Sequence, residues 1–146
     1  MAVGLDTWPA HMHAISGVRL GVAQAGVKYA NRNDLLVIAV TEGASVAGVF
    51  TQSAFAAAPV LIGREHIAKG DIRYLVVNSG NANACTGERG LQDARATCKA
   101  IAHITDAKTH QVLPFSTGVI GEYLPIEKIT RAIPQALANA AEDNWV

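Results

Sequence analysis

The sequence predicts an α/β domain in which short buried strands alternate with amphipathic helices. Two observations carry this. The runs Leu35–Val40 and Tyr74–Asn78 are apolar without a break, or nearly so, as strands covered on both faces are. Two longer segments, 88–104 and 124–141, instead repeat their apolar residues at helical spacing. In chain order, residues 17–29 alternate loosely through Val18, Leu20 and Val22 and are broken by glycines, a first strand with a bend. After Leu35–Val40, Glu42-Gly43 reads as a turn and Ser45–Thr51 as the partner strand of a hairpin. A short amphipathic helix follows Pro59 and ends at Lys69-Gly70. Arg73–Asn78 is the next strand. Leu91, Ala94, Cys98 and Ile101 form one stripe on the helix at 88–104. Gln111–Phe115 is the last strand. The helix at 124–141 has Pro125 at its first position, a stripe of Ile126, Ile129, Ile133 and Leu137, and Pro134 in its interior, which should kink or interrupt it. There is no internal repeat or linker, so residues 1–146 are expected to form a single lobe.

Composition excludes several classes of function. Half of the 146 residues are apolar, 5% are aromatic and 16% are charged, and 12 basic residues balance 12 acidic ones. Disordered chains are poorer in apolar residues and richer in net charge. The zero net charge and the absence of a basic stripe argue against nucleic acid as a partner. The longest apolar runs, Leu35–Val40 and Ala54–Ile62, fall short of the ~18 residues that a membrane span needs. Two cysteines, Cys85 and Cys98, are too few for a disulfide framework and sit in no zinc-binding spacing, so no metal or cofactor is expected. The N-terminus has no signal-peptide pattern, which points to a reducing, cytoplasmic setting. Sparse charge on a half-apolar domain implies a surface shared with another chain.

Chemistry concentrates where strands end. In the segment 76–87, Val-Val-Asn-Ser-Gly-Asn-Ala-Asn-Ala-Cys-Thr-Gly, a buried strand enters a Gly/Asn loop that precedes a helix. Such residues accept left-handed backbone and can converge N–H groups on a carboxylate, a phosphate or an oxyanion, with Asn81 and Asn83 as substrate-contact candidates. They serve equally well in a plain strand-to-helix turn. No GxGxxG or GxxxxGK[ST] pattern supports a nucleotide. The second loop, Pro114–Glu122, carries Ser116, Thr117, Gly118 and Gly121. Backbone N–H groups and the Thr117 hydroxyl could stabilise a tetrahedral intermediate; a glycine turn is the alternative. Ser116 lacks the GxSxG setting of a nucleophile. His11 and His13 suit a solvated pair. His103, Asp106 and His110 match triad partners only by residue type. Cys98 suits a core position, Cys85 an exposed loop, and Arg19, Lys28 and Arg32 form no patch.

These loops also resemble a known family. The block at 76–87, together with Gly48-Val49-Phe50-Thr51, Ala57-Ala58-Pro59-Val60 and Ser116-Thr117-Gly118-Val119-Ile120-Gly121, is similar to the ornithine acetyltransferases, the bifunctional glutamate N-acetyltransferases of arginine biosynthesis. The resemblance covers nearly the whole chain. It implies a layered α/β/β/α-type fold built from a precursor that cleaves itself into two chains, assembled as two alpha and two beta chains. It further implies that the N-terminal threonine of the beta chain takes the acetyl group from N2-acetylornithine as an acyl-enzyme and passes it to glutamate, a ping-pong scheme. Thr117 and Gly118 match the family's oxyanion-hole pair. The family's Ala-Thr-Met-Leu cleavage sequence is absent here, since the only Ala-Thr pair, Ala96-Thr97, continues into Cys98-Lys99. The resemblance therefore implies an N-terminal alpha-chain lobe without the nucleophile. A relative acting as an amidase or on another N-acetyl amino acid, and a non-catalytic anion-binding module, are the alternatives.

Overall fold

The computed structural model describes residues 12–145, so His11 lies outside the described residues. Four strands form one mixed sheet: β1 (Val18–Ala23), β2 (Leu35–Val40), β3 (Tyr74–Asn81) and β4 (Val112–Val119), in spatial order 1-2-3-4. The first three are antiparallel neighbours, and β4 runs parallel to β3. Helix α1 (Ala58–Ile67) links β2 to β3, α2 (Gly87–Thr105) links β3 to β4, and α3 (Ile126–Ala138) follows β4. The α/β class read from the sequence is the observed one.

Periodicity decides which face is covered. Along β2, Leu35, Val37 and Ala39 are buried while Leu36, Ile38 and Val40 are half-exposed. Leu35 and Val37 join Val76, Val112, Ile62, Cys98, Ile101, Ile129 and Ile133 in one core under the three helices. Helix α1 lies over β4, α3 over β1 and β2, and α2 sits between them. Of the two covered faces expected for β2, the helices of the described residues cover one, and the other is half-exposed. Phe115 on the other face is 44% exposed.

The expected hairpin partner at Ser45–Thr51 is also corrected. Both edges of β2 are already paired, by β1 and β3, so no ladder position remains for a third neighbour. The segment runs instead along α1, where the Thr51 carbonyl accepts a bond from Arg64 at 2.7 Å and that guanidinium stacks on Phe50. The first strand stops at Ala23 rather than continuing to residue 29, because Asp34 turns the chain: its carboxylate accepts the N–H groups of Ala25 and Val27 at 2.7 and 2.6 Å.

Pro134 does not interrupt α3. It lies on the exposed side of the helix, where the unpaired carbonyl one turn back can face water, while Ile129, Ala132, Ile133 and Ala136 stay buried on the other side. Pro125 is the N-cap of α3 rather than its first residue. The helix ends at Ala138 rather than 141, and the next residues close the free edge of β1. Asn139 exchanges two hydrogen bonds with Val22, and Ala141 pairs with Leu20. No helix among the described residues is long and apolar enough to cross a membrane.

Candidate functional site

The two Gly-containing loops lie side by side because β3 and β4 are parallel neighbours whose C-terminal ends coincide. Gly80 is in register with Gly118, and a bulge at Asn81 follows. Gly118 adopts φ +136°, and a Cβ built on it would lie 2.3 Å from the Gly80 carbonyl carbon and 2.5 Å from the Asn81 nitrogen. Only glycine fits that approach. Thr117 and Gly118 are exposed at the tip of the strand, at the border of the sheet face without helices.

The asparagines hold this arrangement together. Asn78, buried, donates to the Asn81 carbonyl at 2.8 Å across the bulge, and its own amide oxygen accepts the Ser116 hydroxyl at 2.6 Å. Ser116 is thereby tied as a strut between β4 and β3. Asn81 donates to the carbonyls of Glu122 and Tyr123 at 3.1 and 3.2 Å and accepts the Asn83 N–H at 2.8 Å. Asn83 takes a left-handed backbone at φ 45°, donates to the Gly90 carbonyl at 2.9 Å and accepts from Thr86 at 2.8 Å. Asn81 and Asn83 are 3% and 0% exposed. Both substrate-contact candidates are therefore buried struts, corrected by the same rule that makes them satisfactory core residues: a buried amide must find partners. The N–H groups of Ala82 and Asn83 are taken by the Val119 carbonyl and the Asn81 side chain, and that of Gly121 in the second loop by the Ala84 carbonyl.

The remaining candidates are scattered. His103 and Asp106 are exposed near the end of α2, with Asp106 its left-handed C-cap, and His110 is half-buried in the 3-10 turn Thr109–Gln111. Cys85 is exposed. Cys98 is buried, and burial pushes its thiol up to about 12, so it is an inert core group. Among the described residues no three His, Cys, Asp or Glu side chains are grouped to hold a metal. A groove of about 420 Å³, lined by Phe50, Val60, Leu113 and Phe115 among others, opens beside Ser116 on the outer side of β4.

Three features escaped the sequence reading. His66 is buried with Nδ1 2.7 Å from the Val112 carbonyl, fixing α1 to β4. Lys28 forms an ion pair with Glu122. Asp93 is buried on α2 with one carboxylate oxygen lacking a hydrogen bond, and Arg89 only 3.6 Å away. Loss of hydration raises the Asp93 carboxyl above its usual range, and Arg89 opposes this only in part. A raised folded value means that the stability Asp93 contributes is fully present below its unfolded value and is lost as pH rises through the folded one. Urea unfolding of the wild type and Asp93→Asn at pH values from 4 to 7 should show the variant gaining relative stability as pH rises. A difference that stays constant with pH would contradict this.

Comparison with known proteins places the chain among relatives of one name. A family model described as the ArgJ family matches residues 19–145. The arginine biosynthesis bifunctional protein ArgJ of Methylococcus capsulatus is 54% identical over 131 residues, covering 90% of this chain and 32% of that protein. The protein of the same name from Pseudomonas syringae pv. tomato is 52% identical over 145 residues, covering 99% and 35%. The chain thus spans about a third of the length of these curated relatives. Among solved structures, ArgJ of Bacillus halodurans superposes with a TM-score of 0.75 at 42% identity, over 80% of this chain and 61% of that one. Ornithine acetyltransferase of Mycobacterium tuberculosis, complexed with ornithine, gives 0.82 at 33% identity, over 87% and 69%.

Proposed function

The chain belongs to the ArgJ family, and on that premise we propose that it is the oxyanion-hole lobe of an acetyltransferase of arginine biosynthesis. The reaction is movement of an acetyl group from N2-acetylornithine to glutamate. A threonine hydroxyl from a second chain attacks the amide carbonyl, the tetrahedral oxyanion collapses and ornithine leaves with a proton. The glutamate amine then attacks the acyl-enzyme, the ester bond breaks, and N-acetylglutamate leaves as the threonine oxygen takes back a proton. The Thr117 hydroxyl and the Gly118 N–H donate to the oxyanion in both halves. Donors of this kind act on charge that exists only near the transition state, so they raise kcat rather than substrate affinity.

The observation that carries this reading is the Gly80–Gly118 contact, which holds an exposed Thr-Gly pair at the end of a strand with its backbone fixed by the asparagine struts. The names of the relatives support the reaction class, and the ornithine complex of the Mycobacterium tuberculosis enzyme supports the substrate. The half-exposed apolar face of the sheet, with Leu36, Ile38, Leu75, Val77 and Phe115, supports a second sheet from the beta chain packed about 10 Å away, as in an α/β/β/α stack. Two such pairs would make the heterotetramer. Thr117→Ala in the assembled enzyme, assayed with N2-acetylornithine and glutamate, should lower kcat by roughly 10²–10³-fold with KM little changed. Unaltered kcat would remove the oxyanion assignment.

A further inference from the structure

Lys28 and Glu122 are far apart in the chain, yet the Lys28 ammonium donates to both carboxylate oxygens of Glu122 at 3.0 Å. Neither residue arrives there on a loose segment. The turn preceding Lys28 is held by the Asp34 carboxylate through Ala25 and Val27, and the Asp34 carbonyl accepts the Ser79 N–H of β3 at 2.9 Å. The Gly26 carbonyl of the same turn accepts Lys128 from α3 at 2.9 Å. The stem of Lys28 then stands against Gly80, where an added Cβ would lie 2.9 Å from the Lys28 Cβ. Gly80 is in turn the backbone that Gly118 abuts. At the other end, the Glu122 carbonyl receives the Asn81 amide, and Arg89 stacks on the neighbouring Tyr123 ring at 5.2 Å.

We propose that Lys28 and Glu122 are positioning residues of the acetyl-transfer site. Their ion pair closes the segment between Gly118 and Glu122 over Gly80, so that the donors of Thr117 and Gly118 keep a fixed aim. This rests on the oxyanion reading above. Stability does not account for the pair: its side chains are 36% and 53% exposed, and exposed pairs contribute little to folding. What it does supply is a side-chain link between the β1–β2 connection and the exposed loop after β4, whose other hydrogen bonds, to Asn81, Ala82 and Ala84, come from the β3 side. Removing the link leaves the loop its bonds to Asn81, Ala82 and Ala84 but lets its Glu122 side shift, without unfolding the domain.

In the assembled enzyme, Lys28→Met and Glu122→Gln should each lower kcat by about tenfold, less than the ~10²-fold that a 1 Å misplacement costs, with KM for both substrates and the thermal midpoint unchanged. The swapped pair Lys28→Glu with Glu122→Lys should recover most of the lost kcat. Single variants that keep full kcat, a swap no better than the singles, or a loss confined to KM would each overturn the proposal. Thr117→Ala run alongside separates the two readings. If it loses kcat while Lys28→Met does not, the clasp alone fails; if it too keeps kcat, the oxyanion reading fails and the clasp with it.

Discussion

Gly118→Ala is expected to reduce acetyl transfer by the assembled enzyme by ~10²-fold or more while leaving the far-ultraviolet circular dichroism of the protein intact. The new methyl would lie 2.3 Å from the Gly80 carbonyl carbon and 2.5 Å from the Asn81 nitrogen, both backbone atoms that cannot rotate away. Ordinary contact requires a separation increase of about 1 Å, a displacement that costs catalysis heavily when it falls on a reacting group. The φ of +136° adds strain for any residue with a side chain. The displacement can be absorbed locally, because Thr117 to Ile120 are exposed and β4 has one strand neighbour. Folding therefore survives and geometry does not. Wild-type turnover in Gly118→Ala would contradict the assigned role of the contact.

Gly21→Ala is the counterpart in the core, and here the fold itself should fail. A Cβ on Gly21 would sit 1.9 Å from the Ala136 carbonyl oxygen and 3.1 Å from the Ala140 Cα. Strand β1 and helix α3 meet backbone to backbone at this point, and Gly21 and Ala136 are both buried, so neither partner has an open side to move into. Close packing without compensating voids makes such a clash costly, more than about 4 kcal/mol. Thermal unfolding should move down by roughly 10 °C or more, or the variant should be recovered unfolded. A midpoint within a degree or two of wild type would mean that the β1–α3 contact is looser than described.

The parts of the fold that were legible in the sequence are those where local pattern and tertiary environment agree. The stripe of Ala94, Cys98 and Ile101 is buried on α2, and Ile129 and Ile133 are fully buried on α3. Ser45–Thr51 misled because strand propensity does not reveal that both edges of β2 are taken. For a related reason Pro134 does not interrupt α3, since its exposed position lets water take the carbonyl that it leaves unpaired. At the proposed site, Thr117 and Gly118 are singled out by resemblance alone, and their closeness to Gly80 follows from a parallel register that no local pattern encodes. The roles of Asn78, Asn81 and Asn83 depended on partners such as Ser116, Glu122 and Gly90. Lys28 and Glu122 belong to the same class: isolated charges by sequence, one bidentate pair in three dimensions.

A single-turnover comparison of the two half-reactions in Thr117→Ala bears most directly on the oxyanion assignment. In the proposed reaction, acetylation by N2-acetylornithine and deacetylation by glutamate pass through tetrahedral oxyanions at the same carbon. A donor aimed at that oxygen should serve both, so both rate constants should fall by a similar factor, roughly 10²–10³. A variant in which neither rate falls, or only one does, would contradict the placement of Thr117 in the oxyanion hole.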